Sequence, residues 1–323
     1  MLRPMPSALP HSTCELADMF PAHQPVLYQE IIHALCPKSG GRYVDGTLGA
    51  GGHAAGLLAA SEPAGLLLGL DVDPQALNLA RQTLAPFGER VCIKQASYTT
   101  LPVQLASLGW DAVDGIVLDL GASSMQFNTA ERGFSFLQDG PLDMRFDPSR
   151  PLTAAQIVNE WPERELADLI YRYGEEPAAR RIARAIVAAR PLHSTLQLAA
   201  VIEKVNPRRG GHHPATQTFQ ALRIAVNGEL DALQQVLPLA VQALASGGRL
   251  AVISFHSLED RLVKEFFRRE SRDCLCPPRQ PVCTCGHKAT ILEITRRPIT
   301  PSEEEIKRNP RARSAKLRVV EKK

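Results

Sequence analysis

Tyr43-Val-Asp-Gly-Thr-Leu-Gly-Ala-Gly-Gly-His53 is the stretch on which the reading of this chain turns. A short apolar run ends in an acid, Asp45, and Gly46, Gly49, Gly51 and Gly52 follow it before an alanine- and leucine-rich segment that should be helical. The pattern is a strand, a glycine turn and a helix start. Glycines there permit positive φ and let the backbone approach a ligand closely, while the free N–H groups of the first helical turn face the same spot. A ligand with a nucleotide-like half is the expected occupant.

Two ligand classes use this geometry. Gly49-Ala-Gly51-Gly-His-Ala54 satisfies the loose G-x-G-x-x-[GA] fingerprint, in which a dinucleotide's pyrophosphate lies on the helix N-terminus. S-adenosylmethionine has no phosphate but carries a cationic sulfonium and an amino-acid tail. For that ligand an acid at the strand end makes sense, because Asp45 could receive the ammonium or lie near the sulfonium.

At 323 residues, 44% hydrophobic and 22% charged, the chain has ordinary globular composition and suits two domains. No apolar run approaches the roughly 18 to 20 residues of a membrane span, and the N-terminus lacks the basic flank and apolar block of a signal peptide, so a cytoplasmic protein is expected. The net charge of +3 is unevenly spread. Residues 296–323 carry ten bases against four acids, whereas residues 1–295 carry 27 against 30. A basic C-terminal segment favours phosphate-bearing partners, and a solvated tail explains it equally well.

Residues 1–22, with four prolines and no periodicity, read as a mobile arm, and His23 as a helix-entry residue. Val26, Leu27, Ile31, Ile32 and Leu35 form a helical stripe ahead of the first strand, Arg42 to Asp45. A second strand, Gly65 to Leu70, ends at Asp71, and Asp73-Pro74 start a helix to Leu84 as N-cap and first helical residue. Asp71 is thereby placed to accept hydrogen bonds from both ribose hydroxyls. Strand three, Val91 to Gln95, precedes Tyr98, where an adenine ring could lie. Strand four, Gly115 to Leu120, is a continuous apolar run containing Asp119, as expected of a parallel strand buried on both faces. Strands alternating with helices predict an α/β fold with a doubly wound, mostly parallel sheet, whose ligands gather at the carboxyl ends of the strands. Asp45, Asp71, Tyr98 and Asp119 should meet in one crevice.

With VDGTLGAGGH, the blocks DLGASSMQ (Asp119–Gln126), ERGFSFLQDGPLDMR (Glu131–Arg145), HPATQTFQALRIAVN (His213–Asn227), SFHSLEDR (Ser254–Arg261) and NPRARSAKLR (Asn309–Arg318) resemble the bacterial rRNA small-subunit methyltransferase H family. The match runs from about His23 to the C-terminus. The resemblance implies a class I methyltransferase fold, S-adenosyl-L-methionine as cofactor, and methylation of the exocyclic N4 of one cytosine in the decoding region of small-subunit rRNA. It implies cofactor contacts at Gly51, Gly52, His53, Asp71, Tyr98 (where the family often has phenylalanine), Asp119 and Gln126. The implied partner is small-subunit rRNA or the assembling small ribosomal subunit, with neither a membrane nor an obligate protein partner expected.

A small helical domain, residues 127–218, is expected as an insertion that helps bind substrate, dividing the methyltransferase domain into 23–126 and 219–323. Its start lacks periodicity and reads as a loop over the active site. Thr153-x-x-Gln156 and Ser194-x-x-Gln197 read as capping boxes, and Pro162–Tyr173 and Pro177–Ala189 as helices. Arg180, Arg181, Arg184 and Arg190 suit either RNA phosphates or an exposed helix face. Thr218 to Ala245 reads as one long helix closed by Gly247-Gly248. The fifth strand, Arg249 to Ser254, then leads to His256, which is placed either in the target-base pocket or as a cap. The tail, Ala289–Arg297 and Ala315–Val320, should form a hairpin.

Asp119 is the first candidate to accept the amine hydrogens during transfer, and no metal is assigned to the reaction site. Cys274, Cys276, Cys283 and Cys285, with His287 nearby, could hold a structural zinc, although C-x-C pairs are less typical ligands than C-x-x-C pairs. An NAD-dependent oxidoreductase using the same glycine loop is the alternative enzyme class. A non-catalytic RNA-binding module would leave the strand-end acids without a purpose.

Overall fold

The computed structural model describes residues 25–207, 213–277, 280 and 282–323; the arm at 1–22 and the reading of His23 lie outside the described residues. The apolar runs become the strands β1 (Arg42–Asp45), β2 (Leu66–Asp71), β3 (Val91–Gln95), β4 (Val113–Asp119), β5 (Leu244–Ser254), β6 (Ile291–Glu293) and β7 (Lys316–Lys322). They form a seven-stranded sheet in the order β3-β2-β1-β4-β5-β7-β6. β1 to β5 pair in parallel, and β7 runs antiparallel to both β5 and β6. The order turns back on itself between β1 and β4, which opens a crevice at their carboxyl ends.

Helices cover both faces, which is why β2 and β4 have no polar alternation. On one face α1 (Tyr28–Leu35), α2 (Gly52–Ala60) and α3 (Pro74–Leu84) bury Ile31, Leu57 and Leu77 against Val117 and Ile253. On the other, α4 (Leu101–Ser107) packs Leu101 and Leu105 against Leu68 and Ile116. After β4 the chain forms α5 (Ser124–Asn128), α6 (Ala154–Glu160), α7 (Glu163–Gly174), α8 (Ala179–Ala188), α9 (Thr195–Val205) and α10 (Thr216–Asn227). It returns to the sheet through α11 (Glu229–Ala243), with α12 (Ser257–Glu270) following β5 and α13 (Glu303–Arg308) lying before β7.

The expected helix from Thr218 to Ala245 is two helices. Apolar spacing runs on across Gly228, but that residue takes φ 64°, ends α10 and starts α11. α10 therefore buries Phe219, Leu222 and Val226 in the core of the inserted helices, beside Leu166, Ile170 and Ile182, while α11 packs on the sheet. Gly247-Gly248 do not close the helix. They sit within β5, where the register against β4 shifts between Val113 and Gly115. The tail hairpin forms, but β6 is confined to Ile291–Glu293. Thr153 and Gln156 make a full capping box. Ser194 caps Gln197 N–H, whereas Gln197 Oε1 accepts from His193 N–H, so only half of that box is present.

Asp73 does more than cap α3. It is wholly buried, accepting from Gln75 N–H at 2.9 Å with Oδ1, and from Arg132 Nη1 at 2.7 Å and Gln126 Nε2 at 2.8 Å with Oδ2. Arg132 also donates to the carbonyls of Arg145 and Phe146, so one guanidinium clamps the loop after β4 onto the sheet domain. Removing one member of a buried ion pair leaves the other charge uncompensated. We expect Arg132→Ala to cost about 3–5 kcal/mol in urea unfolding, and Asp73→Asn added to it to recover part of the loss.

Candidate active site

The crevice is a cavity of 1490 Å³ at the carboxyl ends of β1, β2 and β4, bounded also by Phe146 and Arg150 from the insertion and Arg311 from the tail. Pockets for one small molecule are about 300–1,000 Å³, so this one has room for a cofactor and a second ring.

The glycine turn shapes its floor. Gly49 and Gly51 adopt φ 52° and 86°, where an L side chain is strained. A Cβ on Gly46 would lie 2.6 Å from Leu118 Cδ2, and one on Gly52 2.3 Å from Pro25 Cγ, so both positions need the missing side chain. Gly52 and His53 line the cavity; Gly51 makes the turn without lining it. Asp45 does not line it either. Only 1% exposed, it accepts hydrogen bonds from the N–H groups of Thr47 and Ala54, and so fills the N-terminus of α2 from below. Burial pushes its carboxyl up to about 7, with Asp71 adding to the rise against the Thr47 hydrogen bond.

Asp71 and Tyr98 do line the cavity. Asp71 accepts Gly49 N–H at 2.8 Å and Asp73 N–H at 2.9 Å, which orients the carboxylate and leaves lone pairs for hydroxyl donors. Burial raises it above the ordinary carboxylate range. Burial also raises the Tyr98 phenol, and the carboxylates of Glu229 and Glu259 add to the effect.

Asp119 stands at the tip of β4 with 26% of its side chain exposed into the cavity. Its Oδ1 is sealed from solvent and has no hydrogen-bond partner among the described residues. Burial, then the neighbouring Asp45 and Glu259, hold its carboxyl well above the usual range. Its N–H donates to Thr47 Oγ1 at 2.6 Å, which ties the tips of β1 and β4 together. His53 Nε2 donates to the Val26 carbonyl at 3.0 Å, and burial holds the ring down to about 4, so it is neutral at pH 7. Its unprotonated Nδ1 faces Asp119 Oδ2 at 3.8 Å; the contact is not an ion pair.

The same cavity also has a compartment lined by Arg223, Glu229, Phe255 and Glu259, which the sequence reading missed. Arg223 from α10 donates twice to Glu229, at 2.8 Å each, and its guanidinium lies beside Gly121. Phe255 and Glu259 complete this side. Burial would raise Glu259, but His256 and Arg223 hold it below the ordinary range. His256, read as either base-pocket residue or cap, sits behind Glu259: it caps α12, with Nδ1 accepting Glu259 N–H at 3.4 Å and Nε2 3.1 Å from Glu259 Oε1, and does not line the cavity.

A family model described as the MraW methylase family matches residues 21–323. The chain belongs to the MraW methylase family. A curated relative from Heliobacterium mobile, named ribosomal RNA small subunit methyltransferase H, is 52% identical over 307 residues, covering 93% of this chain and 98% of its own. One of the same name from Dehalococcoides mccartyi is 53% identical over 300 residues, covering 93% and 86%.

Methylase membership agrees with the electrostatics of the floor. A pyrophosphate would need the N-terminus of α2, which the Asp45 carboxyl already occupies, and would meet Asp71 and Asp119 as well. The Asp119 carboxyl, partly exposed in the cavity and paired with no lysine or arginine among the described residues, fits a cationic methyl donor. Other residues of the family's motifs hold the frame. Gln126 lines the cavity while its side chain is engaged by Ser123 N–H and Asp73, in a capping box that starts α5. Arg190 bonds the carbonyls of Val158 and Trp161, and Arg184 faces Glu163 at 3.7 Å, whereas Arg180 and Arg181 are exposed.

The raised Asp45 carboxyl carries a sign. The folded chain keeps a proton that the unfolded chain, ionising near about 3.9, releases, so Asp45 lowers stability as pH rises from about 4 through 7. Asp45→Asn should gain melting temperature relative to wild type as pH rises over that window, with little difference below it.

Proposed function

We propose that this chain transfers the methyl group of S-adenosyl-L-methionine to the exocyclic N4 of one cytosine in the decoding region of small-subunit rRNA. The observation that carries the reading is the Asp119 carboxyl, 26% exposed in the cavity that the glycine turn, Arg223 and Glu259 also line, and paired with no lysine or arginine among the described residues. The names of the relatives support an rRNA substrate, and the sequence resemblance supports cytosine N4.

Asp71, the glycine turn and Tyr98 would hold the cofactor's nucleoside, and Asp119 its charged end. S-adenosylmethionine supplies a methyl group on a cationic sulfonium and leaves as a neutral thioether. The cytosine amine is a weak nucleophile because its lone pair is delocalised, so the site must align it in line with the methyl at about 3 Å. The base presents one N–H₂ donor edge and ring acceptors, which Glu259, Asp119 and the Arg223 guanidinium can meet. As the N–C bond forms and the C–S pair stays on sulfur, Asp119 accepts the surplus amine proton. Burial raises its carboxyl, and a cation in the cradle favours the ionised form that can do this. His256 acts through Glu259, as a positioning residue.

A paired cytosine cannot reach the compartment, so the target is single-stranded or extruded. Arg150 and Arg311 at the cavity, exposed Arg180 and Arg181, and the basic tail would grip flanking phosphates, with the inserted helices as a substrate-binding unit. No helix among the described residues is long and apolar enough to cross a membrane. A ribosomal substrate supports a cytoplasmic site for the reaction.

Asp119→Ala should lower methyl transfer from radiolabelled cofactor to small subunits by about 10²–10³ or more, while circular dichroism stays unchanged. Wild-type turnover would remove the residue from the mechanism. Because the ionised carboxylate is the working form, the wild-type rate should climb with pH to a plateau, and Asp119→Asn should lose that limb. Mapping rRNA methylation in cells lacking the chain should show one missing N4-methylcytidine, restored by wild type but not by Asp119→Ala. A complete set of cytosine marks in those cells would refute the substrate.

A further inference from the structure

The segment between α12 and β6, residues 271–290, contains no helix or strand among its described residues and has little core of its own: Val282 is 70% exposed and Leu275 39%. Loops of this length without regular structure are uncommon in compact domains unless something else holds them. Here Cys274, Cys276, Cys283 and Cys285 converge, all four Sγ atoms lying within 4.8 Å of one another. Cys274 to Cys283 is 3.4 Å, Cys283 to Cys285 3.6 Å and Cys274 to Cys285 3.9 Å. A disulfide needs about 2.05 Å, so these separations are not those of two bonded pairs. Zinc–sulfur bonds of about 2.3 Å set a tetrahedral sulfur–sulfur edge of about 3.8 Å, close to the three separations among Cys274, Cys283 and Cys285, with the Cys276 sulfur within 4.8 Å of each.

The backbone is arranged for thiolates. N–H groups of Leu275, Cys276 and Thr284 donate to the sulfurs of Cys285, Cys274 and Cys276 at 3.3, 3.4 and 3.4 Å, the outer hydrogen bonds that steady metal-bound sulfur. His287 is committed elsewhere, with Nδ1 2.8 Å from the Arg272 carbonyl and Nε2 3.5 Å from Glu270, so the donor set is four sulfurs. Four thiolates in a tetrahedron select zinc or iron, and a closed set with no oxygen donor suits a structural zinc.

We propose that Cys274, Cys276, Cys283 and Cys285 bind one zinc ion that staples the loop between α12 and β6. The site is independent of the methyl-transfer reading. Elemental analysis of the tag-free full chain should give one zinc per chain. Cys283→Ser/Cys285→Ser should lose it, and Cys36→Ser, which alters an exposed cysteine outside the cluster, should keep it. Cobalt substitution should give the thiolate charge-transfer and tetrahedral d–d bands, absent from the double variant. A metal-free chain, with its cluster as four titratable thiols or as disulfides, would overturn the proposal, as would stoichiometric iron or zinc retained by the double variant.

Discussion

Carboxyl groups crowd the carboxyl edge of the parallel sheet, and among the described residues no lysine or arginine pairs with Asp45, Asp71 or Asp119. Taking such groups out of water is costly unless they are hydrogen-bonded or neutralised. The chain solves this in graded steps. Asp45 is bonded by the N-terminus of α2, Asp71 by the glycine turn and Asp73 N–H, and Asp119 Oδ1 has no partner among the described residues. The unmet demand is concentrated at Asp119. In the proposed reaction a positively charged cofactor meets it there, and the acid it ionises is the one that accepts from the incoming amine.

The parts of this arrangement that depend on neighbouring residues were readable in the sequence. The ends of β1, β2 and β4 were each marked by an acid after an apolar run, and Asp73-Pro74 announced α3. What escaped depends on partners far apart in the chain. Asp73 meets Gln126 and Arg132 across 53 and 59 residues, so a residue read as a helix cap proved also to be half of a buried ion pair. Arg223 and Glu229 are six residues apart, yet only the break at Gly228 brings them face to face. His256 left two readings open, and its ring serves the cap. α10 and α11 were read as one helix because helical periodicity does not record a change of axis.

α5 shows how the two compartments are held at a fixed separation. Its N-terminus is closed by the Ser123–Gln126 capping box, and Gln126 bonds Asp73, whose N–H in turn bonds Asp71 on the cofactor side. Its other flank receives Arg311 from the tail, 2.7 Å from Asn128 Oδ1 and 5.3 Å over the Phe127 ring. The basic tail, through Arg311, is thus fastened to the same short helix that is linked through Asp73 to Asp71. In-line transfer tolerates little error in the distance between nucleophile and methyl group. A loop carrying Gly121 and Ser123 could not set that distance if it rested on one contact. Held from the sheet, from Arg132 and from the tail, it stands beside Asp119 in a frame that the substrates of the proposed reaction would not have to build.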